Sequence, residues 1–384
     1  MRVLVIGAGL GGVAAAAGLH RAGHEVFLCE RGDQFREAGT AILIAPNGVR
    51  ALAALGFGDY ARAHSLHASG GGLRDWRGRP LLVTDLTVAQ ETTGTVAMAG
   101  RLDLHRALRD PLPDEVVHTG MPVERLEQDE AGVWAVSGGQ RVASADVAVV
   151  ADGIGSGLRG QLFPAHPGLR RTGRLDLRGM LPVPDGLALD GLLACNLVDR
   201  RTGTGFGLYP VGADRLYWYS DTALRGQPPA PEQARRDVLA LTADWHPAVP
   251  ALIEATSLAD IYVDAISCLA APLPSFNVGR IALLGDAAHA MPPDLGQGAS
   301  QAFEDAAALV RLLDGAGPAD VAGRLRGYDA RRRPRANKLL RQAQRASRMT
   351  SLTGTGAWLR DVLLRATPSQ LAVRQAARAY QAGQ

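Results

Sequence analysis

Gly7-Ala-Gly-Leu-Gly-Gly12 follows the apolar run Val3–Ile6 and opens an Ala-rich stretch, and that order leaves the chain few folds to adopt. A glycine-rich turn between a buried parallel strand and a helix is the strand–turn–helix of a Rossmann-type nucleotide site. Gly7 permits the tight turn, Gly9 lets the backbone approach a pyrophosphate, and Gly12 lets the helix lie close to the strand. Leu10 sits inside the same turn, and the phosphates lodge at the helix N-terminus. A second run, Glu25–Cys29, is followed by Glu30, 18 residues after Gly12. A carboxylate there accepts hydrogen bonds from the adenosine ribose and disfavours a 2′-phosphate. Arg31 is a candidate for the adenine side or an ordinary surface arginine. These features predict a dinucleotide site without separating FAD from NAD.

Further apolar runs at Asp146–Ala151 and Arg280–Leu284 extend the α/β pattern of a doubly wound parallel sheet. Between them, residues 171–277 change character. Gly205–Pro210 and Leu216–Ser220 alternate like strands around the turn Val211–Arg215, which predicts an inserted antiparallel sheet. The expected organisation is a discontinuous nucleotide-binding domain (1–70, 97–170 and 278–330), a substrate-binding sheet domain (71–96 and 171–277) and a C-terminal helical region (331–384). In that last region Leu339, Leu340 and Ala343 are spaced as a buried helix face among Arg335, Lys338, Arg341 and Arg345, which reads as a solvated amphipathic helix.

Bulk composition excludes several function classes. The 384 residues carry a formal charge of only +3, so there is no general attraction to nucleic acid or to an acidic membrane. Three cysteines, Cys29, Cys195 and Cys268, have no CxxC spacing, so neither a disulfide framework nor a metal site is encoded. That usage points to a reducing, cytoplasmic setting. Val3–Leu19 is uncharged, but its five glycines argue for a strand and a packed helix rather than a leader or membrane span. The single lysine, Lys338, removes most lysine chemistry.

Three further motifs carry a resemblance. They are Arg101-Leu-Asp-Leu104 with Leu108, then Asp146–Ala151 running into Asp152-Gly153-Ile-Gly-Ser156-Gly-Leu-Arg159, and Gly279–Leu284 running into Gly285-Asp286-Ala-Ala-His289-Ala-Met-Pro292-Pro-Asp-Leu-Gly296-Gln297-Gly298-Ala299-Ser300. In order and spacing, over nearly the whole length, the chain resembles the single-component FAD-dependent aromatic hydroxylases, the p-hydroxybenzoate and salicylate hydroxylase-like group. The resemblance implies a Rossmann-like FAD-binding domain with an inserted antiparallel-sheet substrate domain and C-terminal helices. It implies noncovalent FAD held by Gly7, Gly9, Leu10, Gly12, Glu30, Arg31, Arg101, Val123, Asp152, Gly153, Asp286, Gly298 and Ala299. Arg101 would reach the pyrophosphate, as a guanidinium can, and Asp286 the ribityl hydroxyls. Gly296, Gln297 and Gly298 open a helix whose amides can stabilise reduced flavin. Pro292 would lie at the reacting edge, and His289 would be structural. Ser300 stands where relatives often have Asn.

The activity so implied is monooxygenation. NAD(P)H is a transient reductant, oxygen adds at flavin C4a, and the hydroperoxide hydroxylates or epoxidises an aromatic or polyketide-like molecule while the protein excludes water. The inserted sheet offers Tyr209, Tyr217 and Tyr219 as pocket residues, with Trp218 on the opposite face by alternation. Arg178 is the one candidate anion anchor. Few charges are read in these strands, which leans toward an apolar substrate. A monomer or homodimer is expected. Halogenation is set aside because no Gly-Trp-x-Trp-x-Ile-Pro segment occurs and the lone lysine is near the C-terminus. An oxidase or dehydrogenase on the same fold, and a noncatalytic flavin protein shielding a pathway intermediate, remain open.

Overall fold

The computed structural model describes residues 1–35, 40–66, 68, 71–189, 191–368, 371 and 373. Residues 369, 370, 372 and 374–384 of the expected C-terminal region lie outside the described residues. A six-stranded sheet runs in the order Asn277–Val278, Ile281–Leu283, Val147–Val150, Arg2–Ile6, Glu25–Cys29, Val117–His118, and all but the first pair are parallel. The central strands are buried on both faces, which explains their unbroken apolar runs. The helix Leu10–Arg21 is buried from Leu10 to Leu19. A Cβ on Gly18 would come within 2.6 Å of Leu55 and 2.7 Å of Val310, so this helix is clamped between its neighbours. Its lack of charge is therefore a packing requirement. No helix among the described residues is long and apolar enough to cross a membrane.

The second sheet has seven strands, in the order Ile261–Leu269, Leu169–Pro182, Arg215–Ala223, Thr204–Val211, Cys195–Asp199, Gly71–Asp75, Pro80–Thr84. Every pair is antiparallel except Cys195–Asp199 with Gly71–Asp75. Strands from 71–96 and from 171–277 thus share one sheet. Its outer face, with Leu177, Leu197, Phe206, Leu208, Leu216 and Trp218, buries against the helices Pro231–Thr242 and Ala248–Ala255. Its inner face contributes Met180, Tyr209, Val211 and Tyr217 to a smaller cluster with Leu43, Leu66 and Met98. Leu43 and Met98 belong to the two-stranded ribbon Ala41–Ile44/Ala97–Gly100, which leads directly into Arg101.

The long helix Val321–Thr350 starts before residue 331 and buries Leu325, Tyr328, Ala336 and Leu340 in the core of the parallel-sheet layer. Leu339, Leu340 and Ala343 are buried while Lys338, Arg341 and Arg345 face solvent, as their spacing predicts. Arg335 differs, because it turns inward onto Glu304.

Candidate functional site

The glycine turn is shaped by contacts that no side chain could share. Gly7 has φ +100°, and a Cβ there would lie 2.4 Å from the Ala151 carbonyl oxygen. A Cβ on Gly12 would fall 1.9 Å from the Gly7 carbonyl oxygen, so helix and strand touch backbone to backbone. Gly9 is different: it is exposed, and a Cβ would meet nothing within 4 Å. No side chain caps the helix that follows, so its first amides are free for an anion. Glu30 is pinned beside them. One carboxylate oxygen accepts from the Ala8 amide at 2.9 Å and the other from the Gly32 amide at 3.0 Å, which leaves lone pairs for ribose hydroxyls. Leu10 is buried, Val123 packs partly buried on the core, and Arg31 is exposed.

Arg101 opens the helix Arg101–Arg109, with its amide donating to the Thr40 carbonyl at 2.7 Å. Leu104 and Leu108 are buried and fix that helix, and one turn on from Arg101 His105 places Nε2 2.7 Å from the Ala8 carbonyl oxygen. The Arg101 side chain is solvent-accessible. Desolvation by the surrounding protein lowers its pKa first, the like charge of Arg178 lowers it further, and Asp286 and Asp264 oppose both. Arg101 therefore feels the seven-stranded sheet and the Gly285-Asp286 segment together.

The Asp152-Gly153 and Gly285-Asp286 segments end adjacent parallel strands. Asp152 is half-buried and its buried Oδ1 has no hydrogen-bond partner; desolvation raises its pKa, against the Ser156 hydroxyl and Arg159. Gly153 (φ +82°) has open space where a Cβ would stand. Asp286 is exposed, whereas Ala287, Ala288 and His289 behind it are buried. His289 Nε2 lies 2.6 Å from Asp305 Oδ2, which also accepts from the Gly285 amide at 2.9 Å. Burial would raise the Asp305 pKa, but Arg332 and His289 hold it below the usual range. His289 is thus buried against Asp305 and turned away from solvent.

Pro292 is buried and Gly296 is left-handed (φ 59°, ψ 28°), at the entry to the helix Gly298–Leu313. No side chain caps that helix either. Gln297 turns inward instead, and its side-chain Oε1 accepts from the side-chain amides of Asn47 at 3.0 Å and Gln301 at 3.1 Å. Asn47 also donates to Glu304 at 2.6 Å, and Glu304 is gripped by Arg332 and Arg335. The result is a buried polar frame under Gly296–Ala299, reaching back to the C-terminal helix. Gly298 and Ala299 are half-buried, with open space where a Gly298 Cβ would stand. Ser300 accepts from the Ala45 amide at 3.0 Å and lies where a Gly48 Cβ would collide, so this position serves helix packing.

The inner face of the seven-stranded sheet bears Arg178, Tyr209, Tyr217 and Tyr219, which the strand register brings side by side. The Tyr209 and Tyr219 hydroxyls each lie 2.8 Å from Asn196 Oδ1. The Tyr219 ring lies over Gly207, where a Cβ would come within 2.1 Å. Trp218 points the other way, fully buried, and donates to Thr256 at 2.9 Å. The expected scarcity of charge is overturned. Asp176, Arg178, Asp221 and Asp264 share this face, because carboxylates at alternate positions of twisted neighbouring strands converge across the register. Burial pushes Asp176 up to about 7 and Asp221 up to about 6, each against a neighbouring arginine.

Arg159, Asn47, Asn196 and Asp176 were not singled out from sequence. Arg159 lay within a quoted motif, but the other three had no local signal. Among the described residues no group of His, Cys, Asp and Glu could hold a metal ion.

The FAD binding domain family model matches residues 1–343. The FAD-dependent urate hydroxylase of Klebsiella pneumoniae subsp. pneumoniae is 32% identical over 370 residues, covering 94% of each chain. The 6-hydroxynicotinate 3-monooxygenase of Bordetella bronchiseptica is 32% identical over 374 residues, covering 94% of this chain and 92% of the relative. Among solved structures, Klebsiella pneumoniae HpxO complexed with FAD and uric acid superposes with a TM-score of 0.91 at 30% identity, over 100% of this chain and 97% of the other.

Proposed function

We propose that this chain, which belongs to the FAD-binding family of flavoprotein aromatic hydroxylases, uses NAD(P)H and O2 to place one oxygen atom on a small aromatic molecule in the cleft between its two sheets. One observation carries the reading: Arg101 lies within reach of the charges of Arg178 and Asp264 on the seven-stranded sheet and of Asp286 at the end of the parallel sheet, so one arginine spans both layers. The oxygen chemistry is supplied by FAD when it is bound. The residues present suit that group. Gly9 leaves room for a pyrophosphate, the free amides after it suit the negative charge, and exposed Asp286 is available to hydroxyl donors.

In this reading Gly7, Gly9, Leu10 and Gly12 cradle the phosphates, Glu30 takes the ribose, and Arg31 and Val123 flank the adenine. Arg101, Asp152, Gly153 and Asp286 hold the middle of the cofactor, and Gly298 and Ala299 meet its ring. Gly296, Gln297 and Gly298 aim the helix N-terminus at developing negative charge, and Pro292 shapes the pocket at the reacting edge. Arg178, Tyr209, Tyr217 and Tyr219 line the substrate side. The parallel-sheet layer (1–70, 97–170, 278–330) is the cofactor domain, and 71–96 with 171–277 the substrate domain. The protein works in the cytoplasm as a monomer or homodimer, a setting in which its three buried free thiols stay reduced.

The test is substrate-stimulated NAD(P)H oxidation by the FAD-loaded protein across small phenols and hydroxylated heteroaromatics. Stimulation with a product heavier by one oxygen supports the proposal. Stoichiometric peroxide with unmodified aromatic would make the protein an oxidase, and no NAD(P)H use at all would leave it a flavin-binding protein only.

A further inference from the structure

Arg178 is held by carboxylates on both sides. Its Nε lies 3.2 Å from Asp176 Oδ2, and its Nη2 donates to Asp264 on the neighbouring strand. The three sit on the inner face, since Arg178 pairs with Tyr219 and Tyr262 and Asp176 pairs with Asp221 and Asp264. The Arg178 and Asp176 side chains keep some access to solvent, at 27% and 13% exposure, while Asp264 is open at 62%. One guanidinium against two carboxylates leaves this trio with net negative charge above about pH 7, where Asp176 is ionised.

Nearby groups do not reverse that sign. Asp221 is paired with Arg174 at 2.7 Å, and Asp294, which lies between Pro292 and Gly296, adds another carboxyl. Arg101 shares the cleft with Asp286, and both belong to the cofactor in the reading above. Arg215, the next cation along the same face, stands beyond Tyr217 at the hairpin end, opposite Val211 and Pro182. A ring carboxylate placed against the tyrosines would approach an arginine already doubly neutralised, and would meet the Asp176 and Asp264 charges beside it. A hydroxyl or ring N–H in the same place finds an acceptor in Asp176.

We infer that the Asp176–Arg178–Asp264 trio makes this pocket select aromatic substrates that carry hydroxyl or ring N–H donors and no carboxylate, with Asp264 as a specificity-determining residue. This rests on the aromatic-hydroxylase reading above. It also sets the chain apart from a relative named for 6-hydroxynicotinate, whose ring bears a carboxylate.

At about pH 8, where Asp176 is ionised, the experiment titrates the FAD-loaded protein with two matched pairs, phenol against salicylate and 2-hydroxypyridine against 6-hydroxynicotinate, and follows the flavin absorbance difference spectrum. Within each pair the members differ only by the carboxylate. The expected result is that the carboxylate-free member binds tighter by about tenfold or more, and that Asp264→Asn narrows that ratio by about tenfold by strengthening the carboxylated member alone. Asp176→Asn serves as the second variant and narrows the ratio in the same direction. Tighter binding of either carboxylated member by the wild type, or a ratio that neither variant moves, overturns the inference and leaves the hydroxylase reading standing. A flavin spectrum unmoved by all four compounds overturns the aromatic-pocket reading and this inference with it.

Discussion

Arg159 donates through Nη1 to the carbonyl oxygens of Asp286, at 3.3 Å, and Ala287, at 3.2 Å, so one buried guanidinium fastens the Asp152-Gly153 segment to the Gly285-Asp286 segment. Its Nη2 donates to the Ile154 carbonyl at 2.7 Å, which closes the clamp. Two motifs more than a hundred residues apart in sequence are thereby held in one register.

Arg159→Met should break the clamp. It removes donors from three carbonyls, and the expected loss is about 2–4 kcal/mol of stability together with weaker FAD retention. Thermal melting of FAD-loaded and FAD-stripped protein checks this. An unchanged melting point in the stripped form would show that the clamp carries no stability.

Gly9→Ala and Gly12→Ala should fail in different ways. A methyl at Gly12 strikes the Gly7 carbonyl and must push the helix off the sheet, so the variant should lose several kcal/mol and express poorly. A methyl at Gly9 meets open space in an extended conformation, so the FAD-free variant should melt like the wild type while binding FAD at least about tenfold more weakly. Flavin content and melting point, measured on both, separate the two. Full flavin occupancy in Gly9→Ala would remove the pyrophosphate from this turn.

Asp176 should make the FAD-free protein less stable as pH rises. Burial lifts its carboxyl to about 7, with Asp221, Asp264 and Asp294 adding to the shift against Arg178. The unfolded carboxyl loses its proton near pH 4. Between about pH 4 and pH 7 the unfolded state therefore holds fewer protons than the folded one, and stability falls across that window. Asp176→Asn removes the titration. Its stability relative to the wild type, read from paired melts, should rise with pH through the window, by about 2–4 kcal/mol, and then level off. A difference independent of pH from 4.5 to 8 would contradict the assignment.

What the sequence revealed and what it hid have a common physical basis. The glycine turn, Glu30 and the strands around them are local: their geometry is written in residues that are neighbours in the chain. The parallel strands and the alternation that sends Tyr217 and Tyr219 one way and Trp218 the other were legible for the same reason. The inner face of the second sheet was not. Asp176, Asp221 and Asp264 are far apart in the chain, and only the pairing of three strands collects them beside Arg178. The frame under Gln297 is equally nonlocal, since Asn47, Glu304 and Arg332 come from three helices. Arg335 was misread as a solvated residue because helical periodicity gives a face but not what that face meets.

The most direct test of the central claim follows the fate of oxygen. FAD-loaded protein is given NAD(P)H, 18O2 and the aromatic that most stimulates NAD(P)H oxidation, and the product is weighed by mass spectrometry. The account predicts one 18O atom in the aromatic for each coupled turnover, with the second oxygen atom leaving as water. Consumption of NAD(P)H that ends wholly in hydrogen peroxide, with every aromatic recovered unlabelled, would contradict it.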